Sequence, residues 1–325
     1  MAIEKKIVKK VSINWEREAL EKIALSALSE QKIARRWNIF FKSLTFLFIF
    51  ILLFIAYGAD RTSKGATGSH TALIELNGVI GEKDEVNAKD FFESIRRAYE
   101  SSGTKGIILK INSPGGSPVQ AGMINDEIKR QKLLHPKIPV YAVVEDICAS
   151  GGYYIAVATD EIYVDKASIV GSIGVLMDGF GFIDTMKKVG IERRLITAGS
   201  NKAMLDPFSP VNPKQQTFVK TMLNEVHQQF ISVVKEGRGS RLKESPEMFS
   251  GLFWNGESAV KLGLADGIGN YDFVAREIIK AEDVVDFTTY ESFPDRFARK
   301  FGASLGVSIN QSIRNELLQN YIKLH

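Results

Sequence analysis

Hydrophobic positions follow three regimes along the chain. In residues 2–36 charged and apolar positions are interleaved, and Leu20, Ile23, Ala24, Ala27 and Leu28 recur at helical spacing, the pattern of an amphipathic helix. From Trp37 to Tyr57 the apolar run is nearly continuous, 21 positions with Lys42 the one ionised group and six phenylalanines between Phe40 and Phe54. Beyond a polar linker at 59–70 the pattern changes again, to short apolar runs separated by longer stretches of helical period. The spacing predicts strands at Thr71–Leu76, Gly106–Ile111, Val140–Val144, Glu161–Val164 and Ile191–Thr197. Helices are predicted at Asn87–Ser101 and Val119–Leu134, briefly from the Ser-Gly-Gly turn through Ala158, and at Phe182–Val189 and Lys214–Lys235. Strands alternating with helices point to an α/β domain over 71–290 with buried, largely parallel strands. Residues 291–325 are expected to form a C-terminal helical extension.

The expected span is 37–58; its 21 residues from Trp37 to Tyr57 would measure about 31 Å as a helix, enough to cross a hydrocarbon core of about 30 Å. Lys42 can reach the interface, and Trp37 and Tyr57 fall where aromatic belts form. Arg35, Arg36 and Lys42 crowd the N-terminal flank, against Asp60, Arg61 and Lys64 on the other. The positive-inside rule therefore expects a single-pass protein with residues 1–36 in the cytoplasm and the body outside it. No small-x-small cleavage site directly follows the run, which favours an uncleaved anchor.

Charge and composition narrow the chemistry. Of 42 basic and 38 acidic residues, ten basic and five acidic lie in residues 1–42, leaving 32 and 33 in the remainder. A near-neutral body gives no electrostatic footprint for nucleic acid. A single cysteine, Cys148, excludes an intramolecular disulfide, and His70, His135, His227 and His325 lie far apart without metal-ligand spacing, so neither a metal nor another cofactor is expected.

Two glycine turns each follow a predicted strand: Asn112-Ser-Pro-Gly-Gly-Ser117 and Ala149-Ser-Gly-Gly-Tyr153. In α/β sheets ligands gather at the carboxyl ends of strands, and glycine lets backbone N–H groups approach developing negative charge. Ser150, between strand and helix, has the placement of a nucleophile on a tight turn, although Cys148 breaks the Gly-x-Ser-x-Gly pattern. The residues alone leave two readings, a nucleophile or simply a turn. A serine nucleophile needs a base. No histidine lies between His135 and His227, and a lysine serves only where its surroundings keep it neutral. Lys202, in Gly199-Ser-Asn-Lys-Ala-Met-Leu-Asp-Pro-Phe208, is the candidate, with Ser172 in Gly171-Ser-Ile-Gly-Val175 able to position its amine; a solvated loop lysine is the plainer alternative.

The ordered set Ile-Asn-Ser-Pro-Gly-Gly (111–116), Cys-Ala-Ser-Gly-Gly-Tyr-Tyr-Ile-Ala (148–156), Gly-Ser-Ile-Gly-Val (171–175), a lysine 52 residues after the serine, and Phe-Ser-Gly-Leu-Phe-Trp-Asn-Gly-Glu-Ser-Ala-Val-Lys-Leu-Gly-Leu-Ala-Asp (249–266) resembles the signal peptide peptidase A (protease IV) family in its short single-domain form. The resemblance implies a spiral of βα units as in Clp protease and crotonase. It also implies Ser150 as nucleophile, Lys202 as general base, Ser172 contacting the lysine, and N–H groups of Gly115, Gly116 and Gly151 as oxyanion donors. Implied partners are peptide substrates, namely cleaved signal peptides and other hydrophobic or unfolded segments at the bilayer, and further copies of the chain in a ring, commonly an octamer. The implied location is the bacterial inner membrane, with the catalytic body periplasmic. Two rival readings share these features: a crotonase-like acyl-CoA enzyme, and a non-enzymatic membrane scaffold. For the orientation, protease treatment of intact spheroplasts is expected to degrade the body and spare residues 1–36; the reverse pattern would refute it.

Overall fold

The computed structural model describes residues 2–59 and 68–290. It divides into an N-terminal helix and an α/β body. The helix, α1 (Ala2–Ala59), is continuous over 58 residues, about 87 Å at the α-helical rise. Its Arg17–Phe54 stretch is long and apolar enough to cross a membrane. The sequence pattern separates an amphipathic helix from a span near Trp37, yet the chain runs through without a break. No glycine or proline interrupts residues 2–57, and the Ala, Leu, Glu and Lys between them are strong helix formers. The middle of the expected linker, residues 60–67, and the expected helical extension at 291–325 lie outside the described residues.

The body begins with β1 (His70–Asn77), α2 (Ala88–Glu100), β2 (Thr104–Ser113), α3 (Pro118–Leu134) and β3 (Val140–Ala149). Caps set the helix starts: the Asn87 side chain accepts the Asp90 N–H, and Ser117 caps α3 with Pro118 in its first turn. There follow α4 (Gly151–Ala156), β4 (Glu161–Val164), β5 (Ile169–Gly171), α5 (Ile183–Lys188), α6 (Pro213–Arg238), β6 (Phe253–Asn255), α7 (Gly256–Leu262), β7 (Gly267–Ile268) and β8 (Val284–Asp286). The main sheet runs β6-β5-β3-β2-β1-β8, parallel except for the β5–β6 pair.

Strand β2 carries apolar residues on both faces, as a covered parallel strand must. Ile107, Leu109 and Ile111 join Phe91 and Ile95 of α2 and Ile124 and Ile128 of α3 in the larger core. Ile108 points the other way, with Leu73 and Val143, onto Val274 and Ala275. The sheet forks at β3. Residues 141–144 pair with β4 and residues 147–149 with β5, so one ten-residue strand serves two successive neighbours. Between the two pairings the buried Ser168 hydroxyl donates to the Glu145 carbonyl, and it accepts the Asp165 N–H at 3.0 Å. The Glu145 carbonyl, left between the two ladders, is thereby satisfied.

The expected strand at Ile191–Thr197 does not form. Ile191, Leu195 and Ile196 are exposed, Ile196 at 95%, and no strand among the described residues lies alongside to complete a ladder. The segment instead closes on itself: the Phe182 N–H donates to Pro207 O (2.8 Å), Phe182 stacks on Phe208 (5.5 Å between centroids), and Arg193 pairs with Asp206.

At the C-terminal end of α6, Arg238 is 1% exposed and binds Asp266 through two parallel hydrogen bonds of 2.8 and 2.9 Å, while donating to Gly263 O. Burial alone pushes the Asp266 carboxyl up. The Arg238 hydrogen bonds and charge, the Ile162 N–H and Arg241 outweigh it, so the group sits below the usual carboxylate range. Removing one partner of such a pair leaves a buried charge uncompensated. Asp266→Asn is expected to cost about 3 kcal/mol in denaturant unfolding at neutral pH. Because the folded-state ionisation is depressed, the contribution is complete above the unfolded carboxyl's range and is lost as pH falls through the folded one. The gap between wild type and variant should therefore close only in acid; a gap unchanged down to pH 2 would refute the assignment.

Candidate active site

Strands β2 and β3 run parallel with Ser113 opposite Cys148, so the turns that follow them emerge side by side. They approach more closely than side chains permit. A Cβ placed on Gly115 would lie 2.7 Å from Gly151 N, 2.8 Å from Ser150 Cβ and 2.9 Å from Ala149 O. One on Gly116 would lie 2.0 Å from Ile80 O. Both glycines also hold positive φ, 101° and 150°, where an L side chain is strained.

Ser150 follows β3 with φ 51° and ψ −120°, a backbone conformation non-glycine residues avoid. Two hydrogen bonds hold it there: its N–H donates to Gly171 O at 2.8 Å, and its carbonyl accepts the Tyr154 N–H at 2.9 Å. Its half-buried side chain does not cap α4 and has no hydrogen bond among the described residues. Further anchors hold α4 itself. Buried Tyr153 donates its hydroxyl to Leu264 O (2.8 Å), and buried Asn125 of α3 donates to Tyr154 O (2.7 Å).

The two turns supply N–H groups beside that serine. Gly115 is buried and its N–H donates to Ser113 Oγ at 3.2 Å. Gly116 is exposed, and its N–H has no acceptor among the described residues. The Gly151 N–H, in the first turn of α4, points to no carbonyl of its own helix. A Cβ on Gly151 would lie 3.3 Å from Gly116 N, which puts the two glycines in immediate contact. A hydroxyl beside two unoccupied backbone donors can attack a carbonyl and have the resulting oxyanion held. Of the three expected donors, Gly115 is thus already engaged.

Ser172 falls into the same pattern. Ala149 pairs with Gly171, so Ser150 and Ser172 are each one residue beyond a paired position on adjacent strands. Ser172 also has positive φ, 52°, and its N–H donates to Leu252 O at 2.8 Å. His227 of α6 lies against the next residue, with Nε2 3.1 Å from Ile173 O. No spacing in the sequence signals that approach, nor the role of Ile80, whose N–H donates to Gly115 O (2.9 Å) and whose carbonyl accepts the Ser117 N–H (2.7 Å).

Lys202 is not brought to Ser150 by any hydrogen bond or ion pair among the described residues. It sits exposed in a turn where its N–H donates to Gly199 O (3.1 Å), and neighbouring Asn201 accepts from Gln215 at the start of α6 (3.0 Å). The arm carrying it presents Leu176, Phe180, Ile196 and Val211 to solvent.

Residues 132–285 match the model of peptidase family S49. The chain is 31% identical over 248 residues to a provisionally named protease of Methanocaldococcus jannaschii, covering 76% of this chain and 78% of that one. It is 27% identical over 250 residues to a provisionally named signal peptide peptidase SppA of Enterococcus faecium, covering 73% and 72%. A Brucella abortus protein named as the Na(+)/H(+) antiporter NhaA is 47% identical over 176 residues, 54% of this chain but only 24% of that longer protein. With the parallel α/β sheet, the paired glycine turns and relatives of comparable length in hand, the chain belongs to peptidase family S49, the signal peptide peptidase A family.

Proposed function

We propose that this protein is a membrane-anchored serine endopeptidase in which Ser150 is the nucleophile and Lys202 the general base. The observation that carries the reading is Ser150 held at positive φ, its hydroxyl unengaged, beside the open N–H groups of Gly116 and Gly151. The neutral Lys202 amine takes the Ser150 proton as Oγ attacks the peptide carbonyl. The carbonyl electron pair moves onto oxygen, where Gly116 and Gly151 stabilise it. Collapse breaks the C–N bond, Lys202 gives its proton to the leaving amine, and an acyl ester remains on Ser150. Water then attacks the ester, with Lys202 accepting its proton and returning one to Ser150.

Lys202 can do this only if it is dried. Support for a second copy as the covering surface comes from the apolar arm around it, where Leu176 is 82% and Phe180 78% exposed and Ile196 and Val211 also face solvent. A closed ring would pack that arm against the neighbouring body and desolvate the amine beside Ser172 and Ser150, within one chain or across the seam. Substrates on this reading are cleaved signal peptides and other extended apolar segments, kept near the site by a membrane-crossing α1 in the bacterial inner membrane, with the body on the periplasmic side.

A fluorophosphonate probe should label Ser150, with labelling and peptide hydrolysis both abolished in Ser150→Ala. Lys202→Ala should reduce kcat by at least about 1,000-fold while the oligomer sedimentation profile stays that of wild type. Turnover within tenfold of wild type in Lys202→Ala would sink its role as base.

A further inference from the structure

We propose that Ser113 is the positioning residue that sets the orientation of the Gly116 N–H, and so determines which amide of the Pro-Gly-Gly turn receives the oxyanion. The inference rests on the peptidase reading above and extends it to a residue that touches neither substrate nor nucleophile.

The turn has two amides to offer, Gly115 and Gly116, because Pro114 has none. A Gly-Gly peptide is also the least restrained of all backbone units. Rotation of the Gly115–Gly116 plane would swing the N–H away and present a carbonyl oxygen to the developing negative charge. Something must hold that plane. Its carbonyl, Gly115 O, accepts the Ile80 N–H at 2.9 Å, so the plane is only as fixed as the Gly78–Ile80 segment.

Ser113 fixes both ends of that arrangement. Its side chain is 0% exposed. Its hydroxyl donates to Gly78 O at 2.6 Å, anchoring the segment that carries Ile80. The same oxygen accepts the Gly115 N–H at 3.2 Å, which fixes the preceding peptide plane and removes Gly115 as a competing donor. Around this hydroxyl, Gly78 N–H donates to Asn112 O and Ser117 N–H to Ile80 O. A Cβ on Gly152 would lie 3.0 Å from Ser113 O, so the same residue also packs against the helix that begins at Gly151. One buried hydroxyl therefore ties the Gly78–Ile80 segment to the Gly115 amide.

The test uses the full-length protein with a cleavable peptide and a matching peptide aldehyde, whose hemiacetal with Ser150 places an oxyanion between the donors. In Ser113→Ala, kcat should fall about 10- to 100-fold with KM within twofold of wild type, as expected for a donor displaced rather than removed. Aldehyde affinity should fall by the same factor as kcat, while binding of a non-reactive alcohol analogue stays unchanged. Should Ser113→Ala melt below the assay temperature, Ser113→Cys, of similar size but a weak hydrogen-bonding group, carries the same comparison with a smaller loss. An unchanged kcat, or a loss confined to KM, overturns the proposal. If wild type is not trapped by the aldehyde, or Ser150→Ala still turns over, the peptidase reading itself fails. If wild type passes both and the Ser113 variants keep kcat and aldehyde affinity, only the positioning role is lost.

Discussion

Two backbone turns packed closer than any Cβ allows are the constraint around which the body is organised. A carbon added to Gly115 would lie under 3 Å from Gly151 N, Ser150 Cβ and Ala149 O, and one added to Gly116 would lie 2.0 Å from Ile80 O. Such an approach requires β2 and β3 to be adjacent and parallel, with a register shift after Ile111 bringing Ser113 opposite Cys148, and parallel neighbours in turn require helical crossovers on the sheet face. The apolar stripes of α2 and α3, and the two-sided burial of β2, supply that geometry. The fork in β3 adds β5 at its C-terminal half, which brings Gly171 O to the Ser150 N–H and holds the serine in a conformation it would not adopt alone.

Much of this was legible in the residues. Short apolar runs and period-3.6 patterns place β1, α2, β2, α3, β4 and α6 within a few positions of where they lie, and find the first half of β3, which continues five residues past its expected end at Val144. The short strands β5, β6, β7 and β8 are two or three residues each, too few for any periodicity. Ile191–Thr197 fails for the opposite reason. Its β-branched and apolar residues have strand propensity, but a strand also needs a partner, and tertiary context supplies none. The glycine turns were readable as turns. That Gly115 is occupied while Gly116 is open depends on the Ser113 hydroxyl and on Ile80, through contacts between segments 35 residues apart that no local pattern encodes.

The pairing of Ala149 with Gly171 explains why two serines so far apart in sequence behave alike. Adjacent parallel strands that end at the same level and are followed by the same backbone kink must deliver their next residues side by side. Ser150 and Ser172 share φ values of 51° and 52° for that reason, and each has its N–H bonded to a carbonyl across the sheet, Gly171 O and Leu252 O. On the proposed reading, the second kink places a hydroxyl where an incoming amine needs a neutral partner that can orient it without adding charge.

The proposed nucleophile and the proposed base then differ in how the fold treats them. Ser150 is locked by backbone bonds, by Tyr153 on Leu264 O and by Asn125 on Tyr154 O, all within the packed body. Lys202 rides on an arm stapled to itself through Phe182, Phe208, Arg193 and Asp206, with its apolar residues facing out. Electrostatics favours that division. Donor groups gain from being fixed before the reaction, whereas a lysine that must be neutral is costly to bury until other apolar surface displaces its water. An isolated chain on this reading holds a formed oxyanion site and an unarmed base, so hydrolysis depends on assembly, and a newly made subunit crossing the membrane carries no active dyad with it.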